Sequence, residues 1–192
     1  MRRARLGDVY GIKVPNGYKV YQWAYSDKKR GDFIRVFDGL YDEVPNNIEE
    51  IVLSPHSYII PFYAARAYRI GLAEFLGNYE VPEQYPLPNY QVRFWINYDQ
   101  QKVHSITVTG YDNNGKWIWE TYDVSRIADL PKKYRDTTLL ASCVTPNWLL
   151  YLFDNGFDLL HPEKFSLGPN PEQKVQIYTD MVNEKLESSR RG

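Results

Sequence analysis

From Asp8 onward apolar and polar positions alternate so that Tyr10, Ile12 and Val14 share one face, a period of two that predicts a strand over 8–14. Pro15-Asn16-Gly17 then supplies turn chemistry, because Asn and Gly tolerate positive φ, and 18–25 runs back as a second strand. A charged loop over 26–31 leads to a third strand at 33–37. Three short antiparallel strands with tight connections predict a small curled sheet or partly open barrel.

The pattern changes after Asp38. Pro45 and Pro55 bracket 48–53, which fits one helical turn or a short strand. Within 58–72, Ala64, Ala65 and Ala67 favour helix, whereas Tyr58, Ile59, Ile60, Phe62 and Tyr63 favour strand; strand is the prediction. Gly77-Asn78 and the proline-rich stretch 81–88 interrupt regular structure and mark the one plausible internal boundary, between 1–80 and 81–192.

Beyond it, three alternating runs at 91–98, 102–111 and 116–122 are separated by Asp99-Gln100-Gln101 and Asp112-Asn113-Asn114-Gly115, which predicts a β-meander. Ile106 and Val108 mark the core side of its middle strand, and Trp117 and Trp119 share a face with Thr121. Thr145 as N-cap, Pro146 at the first helical position and Gly156 past the end delimit a helix with an apolar stripe of Trp148, Leu149, Leu152 and Phe153. Val175, Tyr178, Val182 and Leu186 make the stripe of a last helix over 171–186, with a frayed end from Ser188. The fold class expected is α+β, mainly antiparallel β: an N-terminal curled sheet or partial barrel, a second meander and one or two C-terminal helices.

With 192 residues the chain can bury a core as a single α+β domain, 1–192. Its one cysteine, Cys143, has no partner for an intramolecular disulfide and reads as a small buried apolar group, which fits a reducing cytoplasm. The basic start, Met1 to Arg5, meets Gly7 and Asp8 with no apolar stretch between, so it is not a secretory signal. Apolar runs such as 149–153 are too short to span a membrane. The expectation is a cytoplasmic protein with no membrane partner.

A net charge of −1 argues against wholesale attraction to nucleic acid, although Lys28-Lys29-Arg30 is locally basic. The opposite sign gathers in Asp38, Asp42, Glu43, Glu49 and Glu50, with Tyr41 among them and no Lys or Arg between Asp38 and Glu50. These acids fit a solvated connection guarding an edge strand, or a surface that meets a basic partner with an aromatic anchor.

Catalytic signatures are lacking. His56, His104 and His161 form no metal-ligand pair, His56 and His161 adjoin prolines in expected loops, and no phosphate- or dinucleotide-binding glycine motif occurs, so neither metal nor cofactor is expected. Trp95, Trp117 and Trp119 would suit sugar stacking, yet their expected role is packing in or across the second sheet. A carbohydrate-binding or carbohydrate-active protein is thus an alternative, as is an oligomeric assembly component.

Gly7-Asp8-Val9-Tyr10-Gly11-Ile12-Lys13-Val14-Pro15-Asn16-Gly17-Tyr18, followed by Gly31-Asp32-Phe33-Ile34-Arg35-Val36-Phe37-Asp38, resembles the start of the immunity protein 26 family of bacterial polymorphic toxin systems. A later Gly-x-Trp-x-hydrophobic-x-Gly stretch of that family is approximated by 71–77, with Phe75 near the tryptophan position. The resemblance covers about the first ninety residues. It implies a small α+β cytosolic protein that neutralises a cognate toxin by occlusion, with no catalytic residues to carry over. The residues expected to meet the toxin are Asp38, Tyr41, Asp42, Glu43, Glu49 and Glu50.

Overall fold

Tyr10, Tyr21, Val36 and Tyr58 stand in register across four strands, and Phe75 continues the row onto a fifth. The computed structural model describes residues 2–97, 102–112, 114–135, 145–155 and 171–191. In it β1 (Asp8–Val14), β2 (Gly17–Asp27), β3 (Gly31–Phe37), β4 (His56–Pro61) and β5 (Glu74–Asn78) form an antiparallel sheet in the order β4-β3-β2-β1-β5. The first three strands and the Pro15-Asn16 turn are where the alternation put them. The sheet is five-stranded because β5 adds to the free edge of β1, so the expectation that regular structure breaks at Gly77-Asn78 is corrected.

Two further corrections concern 56–72. His56 opens a strand and does not sit in a loop, and the stretch read as one strand divides into β4 and the helix α2 (Ala64–Arg69). Local propensity explains the division: β-branched and aromatic residues fill β4, and the alanines fall in the helix. The bracketed segment 48–53 resolves as helix, α1 (Ile48–Leu53), which buries Ile48, Ile51 and Val52.

The second sheet is the predicted meander, β6 (Tyr90–Asn97), β7 (Lys102–Tyr111) and β8 (Trp117–Tyr122). At the β7–β8 turn the Asp112 carboxylate accepts from the amides of Asn114 and Lys116 at 2.9 and 2.8 Å. A 3-10 turn (Ile127–Asp129) and α3 (Lys132–Arg135) follow, then α4 (Pro146–Asp154) and α5 (Pro171–Arg191). Thr145 is the N-cap of α4 without donating or accepting a capping bond; its hydroxyl turns to the Asn147 side chain. The last helix runs to Arg191, past the predicted end. Cys143, Gly156 and His161, and the Asp99-Gln100-Gln101 turn, lie outside the described residues.

One core joins both sheets. Tyr10, Ile12, Val14, Tyr21, Ile34, Val36 and Ile60 of the first sheet pack in the same cluster as Val92, Ile106 and Val108 of the second, with Leu149 to Phe153 and the α5 stripe Val175, Tyr178 and Val182. The central helix α4 is apolar all round because it is enclosed: Leu149, Leu150, Tyr151, Leu152 and Phe153 are all buried. Asp154 at its end ties two elements together, accepting from the Asn16 amide at 2.8 Å and the Tyr178 hydroxyl at 2.6 Å. In the same core the Tyr21 hydroxyl and the Trp23 indole N–H are buried without a hydrogen-bond partner among the described residues.

The other face of the first sheet is covered by α1, which packs on Val9, Val20 and Phe37, and by the proline-rich stretch, whose Leu87 packs on Phe33 and Ile59. Arg35 is wholly buried between these two patches. Its guanidinium donates to Gln22 Oε1 (3.0 Å), Val52 O (3.3 Å), Ser54 O (3.2 Å) and His56 Nδ1 (3.3 Å), and its Cζ lies 4.6 Å from the Tyr85 ring centroid. The residue Gln22 is its direct cross-strand neighbour.

The Gly7-Asp8 pair is structural. Asp8 is buried and accepts two bonds from Arg2 (2.7 and 2.8 Å), one from the Arg5 amide (2.9 Å), one from Asn78 (2.8 Å) and one from the Tyr10 hydroxyl (3.0 Å). Burial alone would raise its carboxyl, but Arg2 and the other donors hold it below the ordinary value. Gly7 has φ 87°, and a Cβ there would lie 2.6 Å from the Tyr79 carbonyl oxygen.

Candidate binding surfaces

The acidic residues follow β3 and enter α1. The loop carrying the first of them is fastened to β2: Tyr18 N donates to Tyr41 O at 2.6 Å, Tyr41 N to Tyr18 O at 2.9 Å, and Lys19 Nζ to Gly39 O at 2.9 Å. Gly17 allows this approach, since a Cβ there would stand 2.6 Å from the Tyr41 carbonyl oxygen. Burial lowers the Lys19 ammonium, and the nearby Asp38 charge opposes that effect.

The six expected residues part into two groups. Asp38 accepts from the Ser57 hydroxyl, and Tyr41 is half-buried on the Val9, Val20 and Phe37 patch, with its hydroxyl directed to Asp38 O at 3.4 Å. Both hold the loop in place. Asp42 and Glu43 are exposed, as are Glu49 and Glu50 in the first turn of α1, where Asn47 Nδ2 donates to Glu50 Oε2 at 3.1 Å. Glu49 and Glu50 rim an open depression of about 660 Å³ floored by Val44, Pro45, Ile48, Leu76 and Tyr79. Leu53, 59% exposed, is the apolar side chain at its edge.

A second surface lies on the outer face of the meander. The register sets Gln91 opposite Thr109, Arg93 opposite Thr107, and Trp95 opposite Ser105; on the other side of β7, Thr107 faces Thr121, Thr109 faces Trp119, and Tyr111 faces Trp117. Directly opposed residues point to the same side of a sheet, so all of these share one face. Ile106 and Val108 point the other way, into the core. The tryptophans are therefore not core residues: Trp95, Trp117 and Trp119 are 41%, 44% and 59% exposed, which corrects the packing role expected of them.

The indoles nevertheless rest on an ordered floor. Ser105, Thr107 and Thr109 are buried beneath them. Trp95 Nε1 donates to Thr107 Oγ1 at 2.8 Å, and Thr107 and Thr121 share a hydrogen bond of 2.8 Å. Trp117 meets Tyr111 edge-on at 5.0 Å, the Arg93 guanidinium lies 5.5 Å from the Trp95 ring centroid, and Lys29 lies over Tyr111 at 4.6 Å. Alternation showed which residues share a face of β8. Register was the missing piece, because it joins Trp117 and Trp119 to the Thr107 side of β7.

The buried group around Arg35 left no such trace, since an arginine in a strand ordinarily points to solvent. Burial pushes His56 down to about 4, and the Arg35 charge adds to the effect. Among the described residues no group of three or more His, Cys, Asp or Glu side chains could hold a metal ion, and no helix is long and apolar enough to cross a membrane. No family model matches the chain, and no curated protein or solved structure is significantly similar to it.

Proposed function

We propose that this chain is an immunity, antitoxin-type protein that binds and neutralises a cognate bacterial toxin domain in the cytoplasm by occlusion. The observation that carries the reading is the exposed set Asp42, Glu43, Glu49 and Glu50, of which Glu49 and Glu50 rim the Leu53 depression and Asp42 and Glu43 directly precede its Val44 in the chain. Charges of one sign around a small apolar centre suit a partner with a basic surface: the charges speed encounter and the apolar contact slows release. Where the toxin is a nuclease with a basic cleft, the carboxylates take the place of phosphates. The N-terminal resemblance supports the same reading, and Gly7 and Asp8 have a structural reason to recur in it.

The test has two stages. Affinity capture from the native cell should recover a large protein whose C-terminal domain is toxic when expressed alone and harmless when this chain is co-expressed. With that domain in hand, replacing Asp42, Glu43, Glu49 and Glu50 together by Ala should slow association at low salt about tenfold or more with little change in thermal stability. An unchanged association rate would remove these residues from the interface. Failure to protect against any captured partner would remove the function.

A further inference from the structure

We infer that the outer face of the β6–β7–β8 sheet is a carbohydrate-binding surface for an extended, neutral, β-linked glycan, a site separate from the acidic depression and independent of the immunity reading. Three half-exposed indoles stand on a rigid antiparallel sheet, where a side chain facing solvent without a partner would expose apolar area at a cost. The Trp95 indole has its only N–H donor engaged by Thr107, so what it offers a ligand is its flat π face. That face suits stacking against C–H groups better than hydrogen bonding.

The chemistry around the indoles selects the ligand. Arg93 is the one charged side chain among the outward positions Gln91 to Trp95, Ser105 to Tyr111 and Trp117 to Thr121, where the others are Trp, Tyr, Thr, Ser and Gln, and Lys29 lies over Tyr111 at the end of β7. A face whose centre is indole and hydroxyl, with no carboxylate at these positions, suits an uncharged polymer, and Thr121 and Arg93 supply hydroxyl and guanidinium partners for sugar hydroxyls. Pyranose rings with equatorial hydroxyls, as in glucose and xylose, leave flat C–H faces, and β-linkage keeps the chain a flat ribbon that matches a flat sheet.

Spacing sets the ligand's length. Trp95 lies opposite Ser105 on β7 and Trp119 opposite Thr109, so their attachment points are two strand spacings and four residues apart, about 16 Å on ordinary strand geometry. A single sugar cannot touch both. An oligosaccharide lying diagonally from Trp95 across Thr107 and Thr121 to Trp119 can.

The experiment is a calorimetric and tryptophan-fluorescence titration of the full chain with cello-, xylo- and chito-oligosaccharides, repeated on Trp119→Ala and Trp95→Ala. Both side chains are substantially exposed, so the variants should keep the wild-type melting temperature. Binding by the wild type that strengthens with chain length and falls about tenfold or more in each variant supports the site. No response to any of the three sugars overturns it. So would affinity for single-stranded oligothymidine that weakens with salt, which would assign the face to nucleic acid, or a dimer that Trp119→Ala dissociates, which would assign it to a second copy of the chain. None of these results bears on toxin neutralisation, so failure here and failure of the immunity reading remain distinguishable.

Discussion

Arg35 Nε donates to His56 Nδ1 at 3.3 Å, so a wholly buried guanidinium rests on an imidazole that must be unprotonated at that nitrogen. A proton on Nδ1 would remove the acceptor and set two cations against each other. The same imidazole is edge-on to Tyr85 at 5.3 Å, whose ring also covers the guanidinium, and this ties the proline-rich stretch to the first sheet.

This pair makes stability depend on pH. Burial and Arg35 hold His56 at about 4 in the folded protein against an ordinary 6.5. Between those values the unfolded chain takes up a proton that the folded chain refuses, so the contribution is full above about 6.5 and is lost as pH falls toward 4. The depressed carboxyl of Asp8 acts at lower pH, below its ordinary 3.8. In His56→Gln the amide oxygen can accept from Arg35 and does not titrate. Urea midpoints of this variant should be flatter than wild type across the window, and equal slopes would show that His56 is not the responsible group.

Gly7 and Gly31 offer a controlled comparison, because their φ values are 87° and 91° but their surroundings differ. A Cβ on Gly31 meets no atom of the described residues within 4 Å, whereas one on Gly7 lies 2.6 Å from the Tyr79 carbonyl, which Gln22 holds by a 2.8 Å bond. Gly31→Ala should cost only left-handed strain, roughly 1–2 kcal/mol. Gly7→Ala should add roughly 1–3 kcal/mol of overpacking on top of that. Denaturation of the two variants side by side checks this; equal losses would mean that the Tyr79 segment gives way freely.

Tyr21 tests the cost of an unpartnered polar atom. Its hydroxyl is buried without a hydrogen bond among the described residues, while its ring packs on Tyr10, Phe62 and Phe153. Phenylalanine keeps the ring contacts and removes the unpaired group, so Tyr21→Phe should be neutral or stabilising by about 1 kcal/mol. A clear drop in the denaturation midpoint would reveal a partner for the hydroxyl, such as an internal water.

Much of the architecture was legible because it is local. Turn residues at Pro15-Asn16 and Asp112 to Gly115, the alternation in 8–14 and 102–111, and the apolar stripe of Val175, Tyr178 and Val182 each express a preference that neighbouring residues set among themselves. Less was legible at the candidate surfaces. Clustered acids were visible as sequence, but not that Tyr41 and Asp38 secure the loop while Leu53 stands beside the exposed Glu49 and Glu50.

What the sequence by itself determined, then, is the set of strands that alternate, the turns that join them, and the residues that share a face. Ile106 and Val108 also marked the core side of β7, but only the tertiary structure decided which faces of β6 and β8 met that core and which edge was completed. Glu74–Asn78 is too short to declare itself a strand and becomes one by pairing with β1. Trp95, Trp117 and Trp119 turned outward because the opposite side of β7, with Ile106 and Val108, took the shared core under α4 and the first sheet. Arg35 turned inward because backbone carbonyls, Gln22 and His56, contributed by segments distant in sequence, supplied acceptors in place of water. In each case the deciding free energy comes from burial and hydrogen bonds between residues far apart in the chain, which no local pattern records.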